Sequence, residues 1–151
     1  MTALLWAIKA SLLDYVRGMP DGRVDLAGGA REESSGAFSF PAAPSSQADA
    51  ADLRFSGSVT LTGHSGMMRV VIADPHLARI GDGWALTIDD GTGERLHFAD
   101  VAGLDDRADG SRVGRSTLLT ADGAELFFGP YRAGTALDDP IVTRAEPRRA
   151  G

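Results

Sequence analysis

Leu53-Arg54-Phe55-Ser56-Gly57-Ser58-Val59-Thr60-Leu61-Thr62 is the stretch on which the fold turns. In an extended chain Leu53, Phe55, Gly57, Val59 and Leu61 fall on one side, and Ser56, Ser58, Thr60 and Thr62 on the other. That period of two marks a strand with one buried and one wet face. Further strand-length runs lie on both sides of it, at residues 23–26, 37–40, 67–73, 75–80, 84–89, 95–98, 116–120 and 125–128. Asp90-Gly91 and Asp122-Gly123 read as hairpin turns between them. Nineteen glycines suit a chain with many turns, and residues 41–52 read as a long polar loop.

Only the N-terminus departs from this pattern. Thr2 can cap a helix over residues 3–17, with Gly18 as its stop and Pro20 beyond. At helical spacing Leu4, Leu5, Ile8, Ser11, Leu12, Tyr15 and Val16 share one arc, which points Tyr15 inward. The expected fold is therefore α+β and mainly β, an N-terminal helix packed on an antiparallel β-sandwich or curled sheet. Residues 1–143 are expected to form one domain and residues 144–151 a flexible C-terminal tail.

Composition removes several function classes. A net charge of −6 argues against nucleic-acid binding, and the pair Arg148-Arg149 reads as a solvated tail. The absence of cysteine excludes disulfides, zinc–thiolate sites, iron–sulfur clusters and cysteine nucleophiles together. Lys9 and Asp14 interrupt the first apolar run, and no basic leader precedes it, so the chain as given is expected to be cytoplasmic, without a signal peptide or membrane span.

Most motifs fail on inspection. Gly63-His64-Ser65-Gly66-Met67 misses the nucleophile-elbow pattern in its last position and joins strand to strand rather than strand to helix. Asp89-Asp90-Gly91-Thr92-Gly93-Glu94 lacks calcium-loop spacing, and Gly81-Asp82-Gly83 opens no helix. The carboxylate pairs Asp105-Asp106 and Asp138-Asp139 read as solvated turns. What remains is a trio: Tyr15, Ser11 one helical turn before it, and His64 in the turn Thr62-Gly63-His64-Ser65-Gly66. Each has a plain reading taken singly, as a core tyrosine, a small packing residue and a capping histidine. Together they offer a phenol with an imidazole that could steer its proton.

In order along the chain, these segments resemble the HtaA domain, a haem-binding module of actinobacterial haem-uptake proteins. The helix Trp6-Ala7-Ile8-Lys9-Ala10-Ser11-Leu12-Leu13-Asp14-Tyr15-Val16 is similar to the family's opening, and Gly36-Ala37-Phe38-Ser39-Phe40-Pro41 to its short second motif. The stretch from Phe55 to Met67 is similar to its most recognisable segment, Ile72-Ala73-Asp74-Pro75 to the strand and turn after it, and Phe128-Gly129-Pro130-Tyr131 onward to Asp138 to its close. The resemblance runs over residues 4–140.

It implies a haem-binding protein that carries, transfers or buffers haem b. Tyr15 would ligate the ferric iron, His64 would hydrogen-bond Tyr15, and Ser11 would help hold the haem. An aromatic near the closing motif packs on the porphyrin; Pro130 stands where the family often has one, so Phe128 or Tyr131 takes that place. Tyrosinate is a known haem ligand, and a neutral imidazole beside it can share its proton. Two other readings stay open: a haem-dependent enzyme with His64 as acid–base, and a β-sandwich interaction module without haem. Expected partners are haem, a haem donor or acceptor protein, and a second copy in a haem-bridged dimer, with no nucleic acid. Family members usually carry a signal peptide and a membrane tail, which this sequence as given does not show.

Overall fold

Alternation along the central strands decides the architecture. The computed structural model describes residues 2–43, 52–127 and 131–144. In chain order the elements are β1 (Thr2–Trp6), α1 (Ala10–Gly18), β2 (Arg23–Ala27), β3 (Arg31–Glu32), β4 (Phe38–Pro41), β5 (Asp52–Arg54), β6 (Ser58–Gly63), a 3-10 turn (His64–Gly66), β7 (Met68–Ile80), β8 (Gly83–Asp89), β9 (Arg95–Asp106), β10 (Arg112–Leu119), α2 (Ala121–Glu125) and β11 (Ile141–Arg144).

β7, β8, β9, β10, β11, β1 and β4 pair side by side, each antiparallel to the next. β5 pairs the other edge of β7. β4 and the chain leaving β5 then meet: Ala43 N–H donates to Arg54 O and Ser56 N–H to Pro41 O, each at 2.9 Å, around an Ala42–Phe55 bridge. The result is a nearly closed barrel rather than the expected helix-on-sandwich of an α+β protein, and the described residues hold only two short α-helices. β6 and β2 continue the sheet from the first half of β7, and β3 extends it past β4. Trp6, Phe38, Phe40, Phe55, Leu86 and Phe98 fill the interior.

The expected strand over residues 53–62 keeps its faces but is split. Leu53, Phe55, Val59 and Leu61 are all buried. Gly57, at φ 110°, breaks the run into β5 and β6. A Cβ there would come within 2.8 Å of the Ala30 nitrogen, so only glycine fits. Opposite this break, β7 carries a bulge at Asp74 (φ 46°) that joins the two strands expected at 67–73 and 75–80. Asp74 accepts from Gly57 N–H with its carboxylate at 3.1 Å and donates its own N–H to Gly57 O at 2.8 Å. β7 therefore pairs β6 before the bulge and β5 after it.

The N-terminal helix is shorter than expected. Leu4, Trp6 and Ile8 are buried at a period of two, and the first of these elements is a strand. The chain reverses at Ile8, held at φ 65°, and only then enters α1. Thr2 is not the cap. Lys9 occupies the N-cap position without a side-chain capping bond, and Asp138 supplies the acceptor from far along the chain. Its carboxylate takes Ala10 N–H at 3.2 Å, its backbone N–H donates to Ile8 O at 2.9 Å, and its carbonyl accepts from the Trp6 indole at 2.8 Å. A carboxylate at a helix N-terminus also suits the helix dipole.

Of the strand expected at 125–128, Glu125 instead ends α2, Leu126 and Phe127 turn away from it, and Phe128 lies outside the described residues. Thr120 caps α2 by accepting Gly123 N–H at 2.9 Å; Asp122-Gly123 is thus helical, not a hairpin. Asp139 is exposed in a loop, as expected, yet it is tied to the core. Its carboxylate accepts from Thr117 N–H (3.1 Å) and Thr117 Oγ1–H (2.7 Å), and Thr117 is 1% exposed. Asp139→Ala should lower the unfolding free energy by about 1–3 kcal/mol, the cost of leaving buried donors unmatched. Urea unfolding measures this, with Asp139→Asn, which keeps an acceptor, expected to lose less.

Candidate functional site

α1 buries Leu12, Leu13 and Val16, a narrow stripe, so Tyr15 lies on its flank rather than at the centre of a broad apolar arc. Tyr15 is 52% exposed, not inward in the core as the longer helix implied. Its hydroxyl instead meets His64: Tyr15 Oη and His64 Nε2 are 2.6 Å apart, with ring centroids 5.7 Å apart at 48°. A neutral phenol donates its proton to an unprotonated Nε2, and a phenolate accepts from Nε2–H. The pair can hold one proton at either end.

His64 is set by an unusual turn between β6 and β7. His64 (φ 52°) and Ser65 (φ 57°) are both left-handed, a conformation that non-glycine residues rarely adopt, and Gly66 follows at φ 87°. Met67 N–H closes the turn on His64 O at 3.0 Å. Met67 itself is 85% exposed at the edge of the site.

These groups stand at an open cavity of about 610 Å³ lined by Leu12, Tyr15, His64, Met67, Met68, Val70, Phe127 and Tyr131. Its wall is apolar apart from two phenols and one imidazole. Tyr131 is half-buried and meets Phe127 edge-on at 5.1 Å; Phe127 in turn packs on Phe98 at 5.9 Å, and Phe98 on Trp6 at 5.8 Å. Burial, and then the neighbouring Tyr15, push the Tyr131 hydroxyl above its ordinary value. The shift makes a phenolate harder to form at Tyr131, which suits a wall better than an anionic ligand. The amine of Lys9 lies 5.9 Å over its ring and donates to Ala136 O at 3.1 Å.

The trio therefore comes together only in part. Tyr15 and His64 touch and Tyr131 shares their cavity. Ser11 is exposed on α1 and is not among the lining residues. Phe128 lies outside the described residues. The arginine of α1, Arg17, is turned to Glu32 at 3.1 Å and lies over Phe38 at 6.0 Å, away from the cavity. The remaining histidines are elsewhere: His76 on β7, whose pKa is lowered by burial and then by Arg95 and Arg54, and His97 beside Asp100 at 2.7 Å. Sequence reasoning missed Leu12, Met68, Val70 and Phe127 as walls. Phe127 had a signal, since it stands beside Phe128, but the strand expected at 125–128 offered no way to choose between neighbours pointing to opposite faces.

The model of the HtaA family, described as Htaa, matches residues 1–143. The chain belongs to the HtaA family. Among solved structures it is similar to the C-terminal domain of HtaA from Corynebacterium glutamicum, with 27% identity, a TM-score of 0.72 and 93% of each chain covered. It is also similar to the N-terminal domain of HtaA from that organism, with 26% identity, a TM-score of 0.71, and 96% of this chain and 97% of that chain covered. The haem-binding protein HtaB from Corynebacterium glutamicum shares the fold, at 19% identity and a TM-score of 0.71 over 94% of this chain and 90% of that one. No curated protein matches the chain. The HtaA likeness spans nearly the whole barrel, so the Tyr15–His64 pair and its cavity lie inside the matched region. Among the described residues no helix is long and apolar enough to cross a membrane.

Proposed function

We propose that this HtaA-family chain binds haem b, with Tyr15 as the iron ligand and His64 as its proton partner, and carries or passes it on without acting on it chemically. One observation carries the reading: a phenol and an imidazole 2.6 Å apart at an apolar cavity of about 610 Å³. Pockets of about 300–1,000 Å³ with a few convergent polar groups are the usual form of a small-molecule site. The donor set fits haem in a second way. Among the described residues no group of three or more His, Cys, Asp or Glu could hold a bare metal ion. A lone phenol beside an imidazole would suit a metal that arrives already held by a macrocycle.

An iron porphyrin would supply a strong Lewis acid centre to that oxygen. Leu12, Met68, Val70 and Phe127 would bury the ring's apolar surface, and Tyr131 would pack on it as the aromatic. His64, neutral, takes or shares the phenol's proton and so raises the anionic character of Oη. Once protonated, it can no longer accept that proton and competes for the oxygen's electron density. Binding at neutral pH and release in acid follow. Ser11, exposed on α1 one turn before Tyr15, would help hold the haem from outside the cavity wall.

Haemin titration of the purified protein, followed in the Soret and visible regions, tests binding. Transfer of the haem to apo-myoglobin tests carriage. His64→Ala should lower haem affinity by roughly 10–100-fold, the usual cost of losing a ligand's outer partner, and flatten the acid release. Unaltered affinity and pH response would remove His64 from the site.

A further inference from the structure

We propose that Asp21 is a positioning residue for the Tyr15–His64 pair, clamping the strained His64 turn to the end of the helix that carries Tyr15. The inference rests on the haem reading above and extends it to a residue outside the cavity wall.

The clamp begins where α1 ends. Pro20 cannot continue a helix, and Met19 to Gly22 form a turn closed by Gly22 N–H on Met19 O at 3.1 Å. That turn aims the Asp21 carboxylate at the next segment in space, where it accepts Ser65 N–H at 2.5 Å. Charge-assisted bonds of this kind are short and among the stronger ones. Met19 adds a packing contact beside it. A Cβ on Gly63 would come within 2.5 Å of the Met19 methyl, so the thioether lies directly on the Gly63 backbone. Gly63 and Ser65 flank His64. The helix exit therefore grips the turn on both sides of the imidazole.

This grip has something to hold. His64 and Ser65 are both left-handed, and a left-handed non-glycine residue persists only where its surroundings over-determine it. Ser65 N–H points outward from that turn and its partner is the Asp21 oxygen. Without it the turn is free to relax toward ordinary backbone, and a change of φ at His64 swings the ring away from Tyr15. Tyr15 and Asp21 belong to one helix and its exit turn. The side-chain bond between Tyr15 and His64 is thus backed by a second tie, one residue further on, between the same two segments.

The test uses Asp21→Ala and Asp21→Asn, each alone and combined with His64→Ala, in the full chain loaded with haemin. Asp21→Ala should speed haem loss to apo-myoglobin by about tenfold, the low end of what outer partners contribute, and move the tyrosinate-to-iron band toward that of His64→Ala. Asp21→Asn keeps an acceptor oxygen and should restore most of the wild-type rate and spectrum. On the His64→Ala background, Asp21→Ala should add nothing. A merely structural Asp21 would lower Tm while leaving the band in place, and its effect on haem loss would persist without His64; either result overturns the proposal, as does a wild-type rate and band in Asp21→Ala. Should Asp21→Ala fail to fold, Asp21→Ser, too short to reach Ser65, carries the same comparison. A wild type with no tyrosinate band overturns the haem reading and this inference with it. A band that depends on Tyr15 but ignores Asp21 sinks the inference alone.

Discussion

Tyr15→Phe should abolish the tyrosinate-to-iron band and weaken haemin binding by well over the roughly 10–100-fold that loss of an outer partner costs. The substitution removes one oxygen and little else. Tyr15 is 52% exposed and its ring lies on the helix flank, so phenylalanine keeps the apolar contact with the cavity and the fold should stand. Only two interactions disappear: the bond to His64 at 2.6 Å and the proposed bond to iron. Haemin titration and visible spectra of the two proteins side by side measure the outcome. An unchanged spectrum would assign the ligand elsewhere, and Tyr131 would be next to test, although burial makes its phenolate harder to form. The comparison also separates ring from oxygen: residual binding by Tyr15→Phe reports what the apolar wall contributes without the phenol oxygen.

The legible and illegible parts of this chain differ in how far apart the deciding groups lie. Alternation from Leu53 to Leu61 is a local property, and every large apolar residue in it is buried as read. Asp90-Gly91 turns β8 into β9, with Asp89 accepting Gly91 N–H at 2.8 Å within the turn. The pairing of Tyr15 with His64 could be anticipated from motif order, though no spacing argument could set a contact across 49 positions. Other elements were ambiguous at short range. Leu4 and Ile8 fit a period of two as well as a helical arc, whereas Trp6 fits only the first, and the strand prevails because β11 and β4 stand on either side to pair with it. The length of α1, and with it the exposure of Tyr15, follows from that strand. The cap on α1 comes from Asp138, beyond the reach of any local pattern. Barrel closure depends on Ala43 meeting Arg54 after a long connection, so a curled sheet and a nearly closed barrel have the same strand signals. α2 is a different case, because Thr120 was a readable cap signal overshadowed by Asp122-Gly123.

Phe98→Ala should cost about 3–5 kcal/mol of unfolding free energy, the range for truncating a buried aromatic. At roughly 2–4 °C per kcal/mol for a domain of this size, that is a fall in Tm on the order of 10 °C. Phe98 is fully buried, edge-on to Trp6 at 5.8 Å and tilted against Phe127 at 5.9 Å. Its carbonyl also accepts Thr120 N–H at 3.0 Å, which ties β9 to the cap of α2. The cavity left behind would open directly beneath Phe127, which carries Tyr131 at 5.1 Å. Loss of the ring should therefore reach the site through its aromatic wall and not through its ligand. Haem binding should weaken less than in Tyr15→Phe, and the tyrosinate band should remain, because Tyr15 and His64 are held from the other side by α1 and the turn after β6. Thermal unfolding of the haem-free protein and a haemin titration decide the matter together. A Tm within a few degrees of wild type would mean that the chain of rings from Trp6 to Tyr131 does not support the cavity. A lost band in a folded Phe98→Ala would mean that the ligand pair depends on the wall after all, and that the two halves of the site are coupled through the core.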